Sequence, residues 1–152
     1  MAAYYRTILI AVDGSEEADA VLEAATGMHP KGDESFHVVT VIPPIANSVS
    51  GMSGASFAAA WPLKDMEASM AREITDSVRE RVARYGIPPE RVTVLYGRPA
   101  AEIQAHARSL GADLIVVGSH GRHALARIML GSTANGVLHG SPCDVLVVRI
   151  GE

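Results

Sequence analysis

Residues 113–132 read DLIVVGSHGRHALARIMLGS. The β-branched apolar run in 113–118 predicts a strand buried on both faces. Glycine, serine and histidine follow at once, and the stretch closes on Gly131-Ser132-Thr133, which reads as the start of a short helix over 132–139. A strand that gives way to glycines and then to a helix is a βα junction. In open parallel α/β sheets, ligands bind at such junctions, outside the C-terminal ends of the strands.

The rest of the chain repeats the same alternation. TILIAV (7–12) is a second continuous β-branched run, followed by Ser15 as a helix cap and by Ala18, Val21, Leu22 and Ala25 as an apolar stripe at helical spacing. SFHVVTVI (35–42) is a strand that ends at Pro43-Pro44. A long Ser/Gly/Ala-rich connection occupies 43–62, with Phe57 and Trp61 as apolar anchors, and is expected to become ordered when ligand binds. A helix is expected over 63–85, with Met66, Met70, Ile74, Val78 and Val82 facing the core and Gly86 ending it. RVTVLYG (91–97) is a strand, Pro99 opens a helix that Gly111 closes, and DVLVVRI (144–150) is the last strand. Strands alternating with helices predict an α/β fold: one open five-stranded parallel sheet with helices on both faces, in a single domain over 1–152.

Composition narrows the functional classes. The chain has 152 residues, 48% apolar and 20% charged, with a formal net charge of −4. Such a chain buries about two-thirds of its unfolded surface. Its acidic balance argues against nucleic acid as a partner. No apolar run approaches the ~20 residues of a membrane-spanning helix, and the N-terminus reads as a strand rather than a signal peptide. A cytoplasmic location without membrane insertion is expected. Cys143 is the single cysteine, so there is no internal disulfide. It reads as a small packing residue ahead of the last strand.

The glycine stretch carries the chemistry. Without a Cβ, Gly118, Gly121 and Gly131 let backbone N–H groups approach an anion closely. Ser132 and Thr133 add hydroxyl donors at a helix start, and Arg122 adds charge. The same glycines also fit an ordinary turn. Neither G-x-x-x-x-G-K-[ST] nor G-x-G-x-x-G occurs. The G-x-x-G of RNA-binding KH domains lies between helices, whereas here a strand precedes it. His120 and His123 read as solvated loop residues rather than metal ligands. Neither a H-E-x-x-H helix nor a G-x-S-x-G elbow is found.

Gly118-x2-Gly121-x9-Gly131-Ser132 resembles the ATP-binding signature of the universal stress protein family. ILIAVDGSEEA, VVTVIPP, GRPAAEIQAHARSLGADLIVVGSHGR and LGSTANGVLHGSPCDVLVVR extend the resemblance over nearly the whole chain. The resemblance implies ATP as ligand, with Asp13 beside the nucleotide, near its base, its ribose or the Mg²⁺ that arrives with it. It places Val41 at adenine, and Gly118, Gly121, Arg122, Gly131, Ser132 and Thr133 around ribose and phosphates. It further implies a homodimer through the last strand and a regulatory role exercised on a protein partner, with transporters and signalling proteins among those linked to family members. A slow ATP hydrolase or phosphotransferase is the alternative, although no residue is an obvious base. Asn135-Gly136 departs from the family's usual helix formers and puts the rigidity of the last helix in question.

Overall fold

The computed structural model describes residues 5–28, 36–43, 61–119 and 130–150, with the side chains of 61–64 left aside. Five parallel strands form one sheet: β1 (Ile8–Ala11), β2 (Phe36–Ile42), β3 (Val92–Tyr96), β4 (Leu114–Gly118) and β5 (Asp144–Val148). Their order across the sheet is β3-β2-β1-β4-β5. The helices are α1 (Glu17–Gly27), α2 (Trp61–Arg84), α3 (Pro99–Leu110) and α4 (Ser132–Leu138), with a 3₁₀ turn at Pro89–Arg91. The predicted α/β architecture is therefore observed, with strand and helix ends shifted by a residue or two.

Period-two alternation sorts the strand residues into two cores. Ile8, Ile10 and Val12 of the first strand face one side, with Val38, Leu114 and Val116, and meet the α1 stripe Ala18, Val21, Leu22 and Ala25 and the α2 residues Val78 and Val82. Leu9, Val39, Ile115 and Val117 face the other side and meet Ile103 and Ala107 of α3 and Ala134 and Val137 of α4. Helices thus cover both faces, as β-branched strands without polar alternation require. Asp113 sets the register at the opposite end from the glycine stretch. Its carboxylate accepts the N–H groups of Arg6 (2.8 Å) and Thr7 (2.9 Å), and its own N–H donates to Thr7 O (2.9 Å).

Two expectations about helices need correction. Ser15 does not cap α1 through its side chain: its hydroxyl donates to Asp13 instead, and the helix begins after Glu16 with no side-chain cap. The methionine stripe is not core. Met66 is 55% exposed and Met70 44%, whereas Val78 and Val82 further along α2 are buried. The α2 residues that pack on the sheet begin near Ala71, so the earlier turns run past the edge of the core. The expected behaviour of the 43–62 connection falls almost wholly on 44–60, outside the described residues. Among the described residues, no helix is long and apolar enough to cross a membrane.

Two histidines are packed between β2 and α3. His37 lies opposite Leu9 in the register, on the side of the second core. Burial lowers its pKa first, with Arg91 and His106 adding repulsion. Burial likewise lowers that of His106 on α3. Both groups are therefore bases that fold preferentially neutral. Below the ordinary value near 6.5 the unfolded chain takes up protons that the folded chain resists, so stability must fall as pH drops through that value. A His37→Gln, His106→Gln double variant should show a shallower decline of thermal midpoint between pH 7 and pH 5.5 than the parent chain. Melting curves across that range provide the check.

Candidate nucleotide site at the β1–β4 switch point

The crossover from β3 through α3 carries the chain past β2 and β1 to place β4 on the far side of β1. β1 and β4 are neighbours whose following segments leave in opposite directions, which is the switch point where α/β sheets open a crevice. Ile10 pairs with Val116, so two residues further on Val12 and Gly118 end side by side. On the other side of β1, Ala11 pairs with Val39, and Val12 N–H still reaches Val39 O (3.0 Å). Val41, two residues later, is half-buried at the same end of the sheet.

Asp13 is fixed in place by its neighbours. Its Oδ1 accepts both the N–H of Ser15 (3.0 Å) and the Ser15 hydroxyl. This is an Asx turn, which lets the chain reverse from β1 into α1 without a helix cap. The carboxylate is held against Ser15 at the end of β1 rather than swinging in solvent.

The two ends of the glycine stretch are tied to each other by Ser119. Its carbonyl accepts Gly131 N–H (2.6 Å), its N–H donates to Val148 O (2.8 Å), and its hydroxyl accepts Ile150 N–H (2.8 Å). Ser119 is 7% exposed, and satisfying it this way clamps residues 118–119, 131 and the end of β5 together. Gly131 then begins α4, its carbonyl accepting Asn135 N–H (3.0 Å). Ser132 is exposed and Thr133 half-buried, and the first turn carries no acidic residue. An anion approaching these hydroxyls meets no opposing carboxylate from the helix itself.

Of the residues read from the sequence as ligand-binding, Asp13, Val41, Gly118, Gly131, Ser132 and Thr133 lie at the C-terminal end of the sheet. Gly121 and Arg122 lie outside the described residues. Sequence reading missed Ser119, whose one visible signal is a hydroxyl residue directly after a wholly apolar strand. Among the described residues no group of three or more histidine, cysteine or acidic side chains could hold a metal by itself. Cys143 is half-buried away from this end, and burial pushes its thiol pKa up, in keeping with a packing role.

The Universal stress protein family profile matches residues 4–149. The chain belongs to the universal stress protein family. Among curated relatives, SERP1273 of Staphylococcus epidermidis, which bears the family's name, is 33% identical over 149 residues, covering 97% of this chain and 86% of the relative. SH1215 of Staphylococcus haemolyticus, named likewise, is 32% identical, with 97% and 87% covered. Among solved structures, the protein MJ0577 superposes with a TM-score of 0.77 at 25% identity, covering 99% of both chains. Universal stress protein UspA of Lactobacillus plantarum gives 0.72 at 27% identity, covering 97% of this chain and all (100%) of that one. A universal stress protein solved in complex with cAMP shares the fold, with a TM-score of 0.60 at 22% identity.

The Ser119 clamp makes a separable expectation. Ser119→Ala deletes the acceptor of Ile150 N–H while the backbone ties stay. Loss of one such bond should lower stability by about 1 kcal/mol. Amide exchange at Ile150 should accelerate far more than at Ile115 in the sheet centre, as read by NMR hydrogen exchange.

Proposed function

We propose that this universal stress protein is an ATP-binding regulator, in which nucleotide occupancy alters loop order or self-association and a protein partner senses the change. The observation that carries the reading is that Asp13 and the two tied ends of the glycine stretch follow the C-terminal ends of the neighbouring strands β1 and β4. The Ser132 and Thr133 hydroxyls at the start of α4 would receive phosphates, with Gly118 and Gly131 letting the anion come close to the backbone. Arg122 would add charge, Gly121 would admit the backbone to the anion, and Val41 would meet the adenine through its backbone. Asp13 suits Mg²⁺ that travels with the nucleotide, because Mg²⁺ is held through one or two carboxylates plus substrate phosphates and keeps several waters. The site thus asks for no all-protein cage. A cytoplasmic setting, where ATP is supplied, belongs to this reading.

Calorimetry with ATP-Mg²⁺ tests it. Ser132→Ala removes one hydrogen bond to a charged group, about 1.5–3 kcal/mol, so affinity should fall ~10–100-fold. Gly121→Val, which sets a branched side chain against the anion, should cost more. AMP and cAMP should bind more weakly than ATP, since they lack the outer phosphates. ATP recovered from the complex after hours should be intact, as a sensor requires and a hydrolase forbids. Absence of binding at millimolar ATP would reduce the glycine stretch to a turn.

The regulator reading includes a homodimer through β5. That strand is a sheet edge, and Val145, Leu146, Val147 and Val148 are each only half-buried within one chain. An apolar edge of this kind invites pairing. Val148 O points inward to Ser119 N–H, so the N–H of Val147 points outward, along the free edge. Val147→Pro removes that outward donor while keeping an apolar side chain, a substitution that edge strands tolerate. The variant should sediment as a monomer at micromolar concentration where the parent chain sediments as a dimer.

A further inference from the structure

Helix α4 cannot hold itself. It has seven residues, and isolated helices shorter than about 12–15 residues are marginal in water. Gly136 in its interior costs about 1 kcal/mol more than alanine would, and its N-cap has no side-chain hydrogen bond. The missing support comes from α3. Gln104 Nε2 lies 3.0 Å from Gly136 O, 3.2 Å from Val137 O and 2.8 Å from His139 O. Three acceptors around one atom identify it as the amide nitrogen, whose two N–H groups are shared among them. Gly136 and Val137 are among the last carbonyls of the helix, which lack intrahelical donors. One turn along α3, Arg108 Nη2 donates to Gly140 O (3.1 Å).

Gly136 is what lets this grip form. A Cβ there would sit 2.6 Å from the Cβ of Ala100, a separation no packed pair adopts. Ala100, Gln104 and Arg108 recur every four residues and share one face of α3. The feature that weakens α4 in isolation therefore brings its backbone within reach of α3.

We propose that Gln104 is a positioning residue for the phosphate-binding segment: by gripping the C-terminal carbonyls of α4 it sets the helix direction and so where Ser132 and Thr133, just beyond the clamped Gly131, present their donors at the opposite end. The inference rests on the ATP reading above. Gln104 touches no ligand. It acts through a two-turn helix about 10 Å long at 1.5 Å rise per residue, and binding constellations tolerate misplacement of only about 0.5 Å. The phosphates feel the grip more than adenosine does, whose base is read as lying at Val41 and whose ribose Asp13 can also reach.

The test compares Gln104→Met, which keeps the length and loses the donors, with Gln104→Lys, whose ammonium donates. Calorimetry is run with ATP-Mg²⁺ and, separately, with adenosine; hydrogen exchange follows α4 and β4. Gln104→Met should weaken ATP binding about tenfold, the size of one lost charge-assisted bond, and leave adenosine within about twofold. It should speed exchange at the amides of residues 135–137 and leave those of 114–117 protected, which shows the sheet intact. Gln104→Lys should bind ATP nearly as the parent chain does. A Gln104→Met variant that binds ATP normally overturns the inference, as does one that loses ATP and adenosine equally. A parent chain that binds no ATP overturns the proposed function, and the inference with it; a parent that binds while Gln104→Met binds as well overturns the inference alone.

Discussion

Strand β1 must be dry on both faces and hydrogen-bonded on both edges. Ile8, Leu9 and Ile10 have essentially no exposed surface, and their backbone groups have no water to fall back on. β2 serves one edge and β4 the other. To supply the second edge the chain must cross over the sheet after β3, and that crossover parts the segments following β1 and β4. The crevice at their ends is thus a by-product of satisfying one buried strand. Asp13 follows β1 and Gly118 ends β4 on that same side, because both strands run parallel to the same end of the sheet.

At several turns of the chain, order is supplied by side chains that grip backbone. Asp13 holds Ser15, Ser119 holds Ile150, and Gln104 holds the end of α4. Each uses a polar side chain to satisfy main-chain groups that no helix or strand reaches, and each sits where the chain changes direction. Charge pairing contributes elsewhere: the Arg81–Asp19 contact (2.7 Å) joins α2 to α1 on the far side of the sheet. At the candidate site the ties among Ser119, Gly131, Val148 and Ile150 are neutral hydrogen bonds, two between backbone groups and one to the Ser119 hydroxyl.

The fold was legible because its signals are local. β-branched runs identify strands, and the α1 stripe and the Pro99 and Gly111 boundaries of α3 need no partner to be recognised. The exposed Met66 and Met70 were misread for the same reason: a helical stripe reveals its period but not how far the surface beneath it extends. Ser15 was misread because a hydroxyl before a helix can serve either the helix or the preceding turn, and the Asp13 carboxylate competes for it. Of the candidate site, glycine spacing and hydroxyls were visible. The tie of Ser119 to Ile150 and of Gln104 to Gly136 was not, since these partners lie 31 and 32 residues apart. Gly136, which reads as a helix fault, proves to be a contact point once Ala100 is in view.

The Asp113 carboxylate that binds Thr7 N–H spans 106 residues of chain. On a ribosome adding about 5–20 residues per second, β1 and β2 emerge long before their partner on the other side. Until Leu114–Gly118 arrives, β1 presents an apolar strand with one unpaired edge, the arrangement most prone to pair with a neighbouring nascent chain. Asp113 stands immediately ahead of β4 and in the folded chain holds the start of β1 through the N–H groups of Arg6 and Thr7. One carboxylate at the base of the sheet therefore ties the first strand made to a segment made more than a hundred residues later.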